Sequence, residues 1–250
     1  MVAFDVAGLS PFMVLVCFVL ALVGSSVQGT MGFGLGMLTA PLFTMIDHAF
    51  VPVSMMLAVV PLTFGVAIRD RAHIDTKGFG WAILGRFPGV FLGIVALRAV
   101  SEDGLAYAVA GTVALAVVVS VVTSRRGQVV PTNAATMSSA GFASGFMGTV
   151  TSIGGPPMAL VYKDGDPRTV RATVAAFFSV GVVITVAGFV ISGEIGRHEL
   201  ALTAVILPGV LAGLPVSARI GDKLSPDVMR PLILAMCALS ALLLFLETTL

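Results

Sequence analysis

A chain of 250 residues with 57% hydrophobic residues, 11% charged residues, a net charge of +1 and a mean hydropathy of +1.05 lies outside the range of soluble domains. These values mark an integral membrane protein. The net charge says nothing about nucleic acid, and no basic patch interleaved with aromatic residues points to it, so no nucleic-acid partner is expected.

Charged residues cut the chain into uncharged runs, whose lengths are informative because about 20 helical residues cross a bilayer core. The first run, Val6 to Ile46, is far longer than that. No Lys or Arg precedes its apolar core and no small-residue cleavage site follows, so residues from 11 onward are expected to be mature protein. Next come His48 to Ile68, Gly78 to Leu97 and Gly104 to Ser124, each fitting one crossing. A polar linker, Ser124 to Asn133, precedes a second long run, Gly127 to Tyr162, and Thr132 or Asn133 is placed to cap a helix starting at Ala134. Ala172 to Gly193, Leu200 to Ala218 and the shorter Pro231 to Leu246 complete the chain as further crossings. Cys17 and Cys237 lie far apart inside apolar runs, the setting of packing residues rather than of a disulfide framework.

As straight helices the two long runs would measure about 50 to 60 Å against a core of about 30 Å. Basic residues, which collect on the cytoplasmic side, decide how they are accommodated. If every run crosses once, Lys and Arg divide almost evenly between the two sides and no orientation results. If each long run returns to its starting side as a hairpin, Arg69, Arg71, Lys77, Arg125, Arg126, Lys163, Arg168, Arg171, Arg219, Lys223 and Arg230 share one side. Only Arg98 and Arg197 then lie opposite. The expected fold is therefore all-α and polytopic, with eight hydrophobic segments: a broken or re-entrant hairpin plus three transmembrane helices, repeated once, with both termini outside.

An internal repeat supports this division. Pro88-Gly89-Val90 with Gly93 recurs as Pro208-Gly209-Val210 with Gly213, a spacing of 120 residues. At a spacing of 119, Gly29 and Gly36 map onto Gly148 and Gly155, which pairs the two Gly-rich stretches. Residues 1–126 and 127–250 are thus read as two repeats of one transport domain. An odd number of crossings per repeat inverts them, and inverted repeats with interrupted helices point to a secondary transporter.

Both Gly-rich stretches break their runs. The first is Gln28-Gly29-Thr30-Met31-Gly32-Phe33-Gly34-Leu35-Gly36 followed by Pro41; the second ends in Gly154-Gly155-Pro156-Pro157. Lipid cannot replace the backbone hydrogen bonds lost at such breaks, so they are expected to line a polar cavity. Helix ends there direct unpaired N–H groups inward, an arrangement that attracts anions. The expected substrate-lining residues are Gln28, Gly29, Thr30, Gly32 and Gly34 in the first stretch and Thr151, Ser152, Gly154, Gly155 and Pro156 in the second. Close helix packing is the other use of such small residues in membranes. Arg86, the one charge well inside a span, is expected either to draw an anion into the site or to snorkel to headgroups.

No Asp or Glu falls inside a predicted span, which gives proton coupling little support. His48, His73 and His198 lie near loops without metal-ligand spacing, and no His lies beside Ser144 to act as a base. Neither a cofactor, a metal nor an enzymatic activity is expected. The expected partners are a small anionic substrate and membrane lipid; nothing in the sequence specifies an oligomer. An anion channel or passive uniporter fits the same residues, and an intramembrane enzyme fits them less well.

Val23-Gly24-Ser25-Ser26-Val27-Gln28-Gly29 with Gly32-Phe33-Gly34 and Pro41, then Gly141-Phe142-Ala143-Ser144-Gly145-Phe146-Met147-Gly148 leading to Gly154-Gly155-Pro156-Pro157, resembles the TauE/SafE sulfite exporter family of membrane permeases. The resemblance covers nearly the whole chain. It implies transport of sulfite or related sulfur-containing or organic anions across a bacterial inner membrane.

Overall fold

The computed structural model describes residues 7–126, 131–162, 166–220 and 226–249. Lys163 and Lys223, both used above to assign sidedness, and linker residues 127–130 lie outside the described residues. The described chain is helical: α1 Pro11–Met31, α2 Leu35–Ile46, α3 Val53–Arg69, α4 Thr76–Ala99, α5 Glu102–Arg126, α6 Ala134–Thr151, α7 Gly155–Val161, α8 Pro167–Ser192, α9 Arg197–Ile220 and α10 Pro226–Thr249. Among the described residues six helices are long and apolar enough to cross a membrane: α1, α3 with the turn before it, α4, α5, α8 and α9. α2, Leu35–Ile46, is a shorter apolar helix, and α10 spans 24 residues, of which Leu234–Thr249 is an apolar stretch.

Local chemistry sets the helix ends. Ser10 accepts a hydrogen bond from the Met13 amide ahead of Pro11, and Asn133 forms a reciprocal capping box with Thr136 at the start of α6. Asp166 caps α8 by accepting from the Arg168 and Thr169 amides. Buried hydroxyls within the bundle donate to their own helices: Thr39 to the Leu35 carbonyl and Ser179 to the Ala175 carbonyl, each at 2.8 Å. Such internal satisfaction is what a water-free surrounding demands. The outer surface carries the opposite chemistry, with Phe12, Ile68, Phe91 and Ile191 exposed.

The Pro-Gly-Val repeat proves to be a packing surface. Gly89 of α4 lies against the Phe142 carbonyl of α6, and Gly209 of α9 lies against the Phe18 carbonyl of α1. Gly93 and Gly213 continue the two contacts against Thr149 and Ser25. Glycine is required here because a Cβ would occupy the neighbouring helix. α4 packs on α6 as α9 packs on α1, so each copy of the motif seats a helix that lies far away in the chain.

Contacts at the two ends place the loops. At one end the Asp75 amide bonds Thr173 Oγ1 at 2.9 Å and the Tyr162 hydroxyl reaches Asp75 at 3.5 Å, which brings the α3–α4 loop beside the end of α7 and the start of α8. At the other end Arg98 pairs with Glu194 at 3.0 Å and His198 with Asp47 at 2.7 Å. The α2–α3, α4–α5 and α8–α9 loops therefore meet there. In a background lacking Cys17 and Cys237, both buried, cysteines at Arg71 and Arg168 are expected to label from one membrane face and those at Ser101 and Arg197 from the other. Labelling of positions 71 and 168 from opposite faces would refute the folded-back arrangement.

Candidate functional site

The first break follows from backbone geometry. α1 stops at Gly32, whose left-handed φ of 89° turns the chain and whose amide returns to the Gln28 carbonyl at 2.7 Å. Gly34, at φ 132°, occupies a conformation closed to other residues and leads into α2. The first α2 amide, that of Leu35, is satisfied by Gln28 Oε1 at 3.2 Å. Because the oxygen of that side chain takes the backbone donor, its –NH2 group is left to face the interior.

The second break repeats the turn with different residues. α6 stops at Ser152, which adopts a left-handed φ of 60° and donates its hydroxyl to the Pro52 carbonyl at 3.2 Å. α7 then begins at Gly155, with Pro156 and Pro157 in its first turn. Amides there have no intrahelical acceptor, so the prolines remove nothing the helix uses. Breaks and helix starts are both spaced by 120 residues, Gly32 with Ser152 and Leu35 with Gly155. The 119-residue register read from glycines alone is therefore off by one at the break: glycine identity matched, but backbone turns did not.

The two breaks meet. Gly36 packs on the Ser152 carbonyl, and a Cβ on Gly155 would lie 2.9 Å from Phe33 Cβ. Between them is a cavity of about 40 Å³, room for about three water molecules and so for a small oxyanion. Its walls are Gln28 from α1, Gly34 to Met37 from the first break and α2, and Ser152 to Gly155 from the second. Met55, Met56, Val59 and Thr63 of α3 and Phe178 and Val182 of α8 close the sides.

Arg86 of α4 completes the lining. It is 1% exposed, and its Nη1 reaches Ser144 Oγ at a long 3.4 Å while its Nε has no hydrogen-bond partner among the described residues. The guanidinium carbon lies 4.7 Å from the Phe177 ring centroid and 5.7 Å from that of Phe178. Space for it comes from Gly181 of α8, where a Cβ would fall on the guanidinium. Ser144 in turn donates to the Gly154 carbonyl at 2.6 Å, which ties the cation to the second break. Among the described residues no carboxylate forms an ion pair with Arg86. A buried cation without an anion is costly, and the geometry leaves the cavity as the place where one fits.

A sequence-family model described as "Sulfite exporter TauE/SafE" matches residues 16–244. The chain belongs to the TauE/SafE family. No curated protein and no solved structure matches it. TauE/SafE proteins are membrane transporters, and the matched region contains both breaks and Arg86.

Within this TauE/SafE chain the residues expected from sequence separate into two groups. Gln28, Gly34, Arg86, Ser152, Gly154 and Gly155 line the cavity. Gly29, Thr30, Gly32, Thr151 and Pro156 do not. Gly29 packs on Ser217 of α9, and Gly32 lies against the Arg171 backbone. Thr30 and Thr151 turn their hydroxyls back to the Ser26 and Met147 carbonyls, both at 2.8 Å. Pro156 sits in the first turn of α7, off the lining. Sequence reasoning missed Thr63, Met55, Met56 and Gly181, which sit in ordinary apolar runs, and it named Ser144 without assigning it to the site.

A second polar cluster closes the carbonyl end of α1. Arg69 donates to the Gly29 carbonyl at 2.8 Å and Arg171 to the Thr30 carbonyl at 3.5 Å, with Asp70 accepting from Arg171 Nε at 2.6 Å. Cations at a helix C-terminus are favourably placed against its dipole. Burial alone would raise the Asp70 carboxyl, but Arg69 and Arg171 outweigh it and hold the group below its ordinary range.

Proposed function

We propose that this protein is a secondary transporter that moves a small anion by alternating access, with the substrate held between the two breaks. The observation that carries the reading is Arg86: a cation 1% exposed, without an ion-pair partner among the described residues, on the wall of a cavity. Around it Gln28 offers amide donors and the start of α2 offers backbone amides, the donor set an oxyanion uses. The substrate class, sulfite or another sulfur-containing or organic anion, comes from family membership, as does a bacterial inner-membrane location.

Alternating access needs two states and a barrier between them. Below Gln28 and Thr63 the space narrows among Gly32, Leu62, Val66 and Ala175 to leave no room for a water molecule. A constriction at this place would supply the barrier that an alternating-access carrier needs. The common element order of the halves, the repeated packing of α4 on α6 and α9 on α1, and the meeting of the breaks support reading residues 1–126 and 127–250 as inverted repeats about a central site.

Counterflow in proteoliposomes tests the reading. Labelled sulfite is expected to enter saturably and to be accelerated by unlabelled sulfite inside. A linear, unaccelerated leak would replace the carrier with a channel or uniporter. The same assay with thiosulfate, short sulfonates and carboxylates assigns the substrate.

A further inference from the structure

We infer that Asp70 is a positioning residue for transport: with Arg69 and Arg171 it locks the carbonyl end of α1 against α3 and α8, and so holds shut the way out of the cavity toward the face that carries Arg71 and Arg168. The inference rests on the cavity being the substrate site and adds the residues that govern access to it.

Three helices build the constriction beside the cavity. Gln28 and Thr63 belong to both spaces; beyond them the end of α1 contributes Gly32, α3 contributes Leu62 and Val66, and α8 contributes Ala175. The polar cluster grips each helix within a turn of that point. The Asp70 amide bonds the Val66 carbonyl at 3.0 Å, Ala175 stands one turn after Arg171 in α8, and a Cβ on Gly32 would lie 3.0 Å from Arg171 Cα. An anion leaving on this side must part α1, α3 and α8. Those are the helices the cluster joins.

Asp70 is the member both arginines share. Arg171 Nε donates to its Oδ2 at 2.6 Å from α8, while Arg69, the last residue of α3, donates to Oδ1 at 3.2 Å and to Oδ2 at 3.1 Å. Held in this way, Arg69 reaches the Gly29 carbonyl at 2.8 Å and Arg171 the Thr30 carbonyl at 3.5 Å. The side chains of Arg171 and Asp70 are 10% and 12% exposed, so salt and water screen the pair little. Parting α3 from α8 separates a nearly dry ion pair and takes cations from the helix end they favour. Without the carboxylate, two cations face each other at one helix end and repel. A staple with no part in transport would use the same bonds, but its loss would loosen the bundle without favouring access from one face.

Accessibility of a cavity cysteine separates lock from staple. In protein lacking Cys17 and Cys237, Val59→Cys places a thiol on the cavity wall and outside the constriction. A membrane-impermeant methanethiosulfonate is applied to oriented vesicles from either face, with no anion substrate present. Slow reaction is expected from the face that carries Arg71 and Arg168. Asp70→Asn should raise that rate about tenfold or more while the rate from the opposite face stays level or falls, because opening one side depletes the state open to the other. The exchanged pair, Asp70→Arg with Arg171→Asp, should return it to slow, since it restores one carboxylate among two arginines. An unchanged rate in Asp70→Asn, an equal rise from both faces, or an exchanged pair that stays fast would overturn the inference. Arg69→Gln, which removes the bond to Gly29 and leaves the Arg171–Asp70 pair, serves where Asp70→Asn does not fold; a smaller rise from the same face is expected, and no rise would overturn the lock. Labelling needs no anion, so it decides the lock even where sulfite fails to stabilise the wild type and the substrate site falls. Stabilisation by sulfite, conversely, keeps the site where the lock fails.

Discussion

Arg86→Leu is expected to yield a protein that inserts, melts no lower than the wild type, and neither binds nor moves an anion. Two effects combine to give this pairing. In the empty wild type the guanidinium is buried with one long hydrogen bond and an unsatisfied Nε, and leaving a buried charge without its partner costs about 3 to 5 kcal/mol in typical proteins. Removing the charge relieves part of that cost, against which stand the lost contacts with Phe177 and Phe178. Substrate then has nothing to neutralise, so the stabilisation that ligand at a hundred times its dissociation constant confers, about 2.7 kcal/mol, disappears. Melting curves with and without anion, beside flux in proteoliposomes, read both effects. Saturable flux surviving in Arg86→Leu would remove Arg86 from the mechanism.

Gly141→Leu carries the largest expected structural effect, loss of the folded protein. Its Cβ would fall on the Ala82 carbonyl of α4, while Gly85 meets the Ser138 carbonyl of α6 in the same way. Where a neighbour is a flexible side chain, a few tenths of an ångström of adjustment absorb an extra methyl. Here it is helical backbone on both sides, so the helices must separate, and α4 carries Arg86 with it. The penalty is on the order of 4 kcal/mol or more, the range reached when a core cannot repack. Gly111→Ala on α5 is the control: its Cβ would meet nothing within 4 Å, and alanine is favoured over glycine within a helix by about 1 kcal/mol. Size-exclusion profiles of detergent-solubilised variants should show Gly111→Ala as monodisperse and Gly141→Leu as aggregated or absent. A monodisperse Gly141→Leu would show that α4 and α6 can part without unfolding.

These expectations differ in how far they could be read from the chain. Membrane insertion, helical class and the two interruptions are local properties, written in run length, in missing charges and in residues that end helices. Gly32 and Gly34 interrupt the first long run and Ser152 to Gly155 the second, within the stretches singled out for their glycines. The repeated Pro-Gly-Val motif was likewise visible, though its purpose was not: Gly89 and Gly209 mark where one helix lies on another, a fact about a distant partner.

What the tertiary structure decided is which small or polar residue faces the cavity and which faces a neighbouring helix. Gly29 and Gly34 are five positions apart in one Gly-rich stretch, yet the first packs on Ser217 and the second lines the cavity. Thr30 and Thr151, plausible donors in sequence, spend their hydroxyls on carbonyls of their own helices. Arg86 shows the division most clearly. As a lone charge in an apolar run it fits headgroup anchoring as well as substrate binding. The choice depends on Ser144, Phe177 and Gly181, which surround the guanidinium from 58 or more residues away in the chain. Run length, charge and helix breaks can be read along the backbone because each acts within a turn or two; the partner of a buried cation cannot, because packing between helices chooses it.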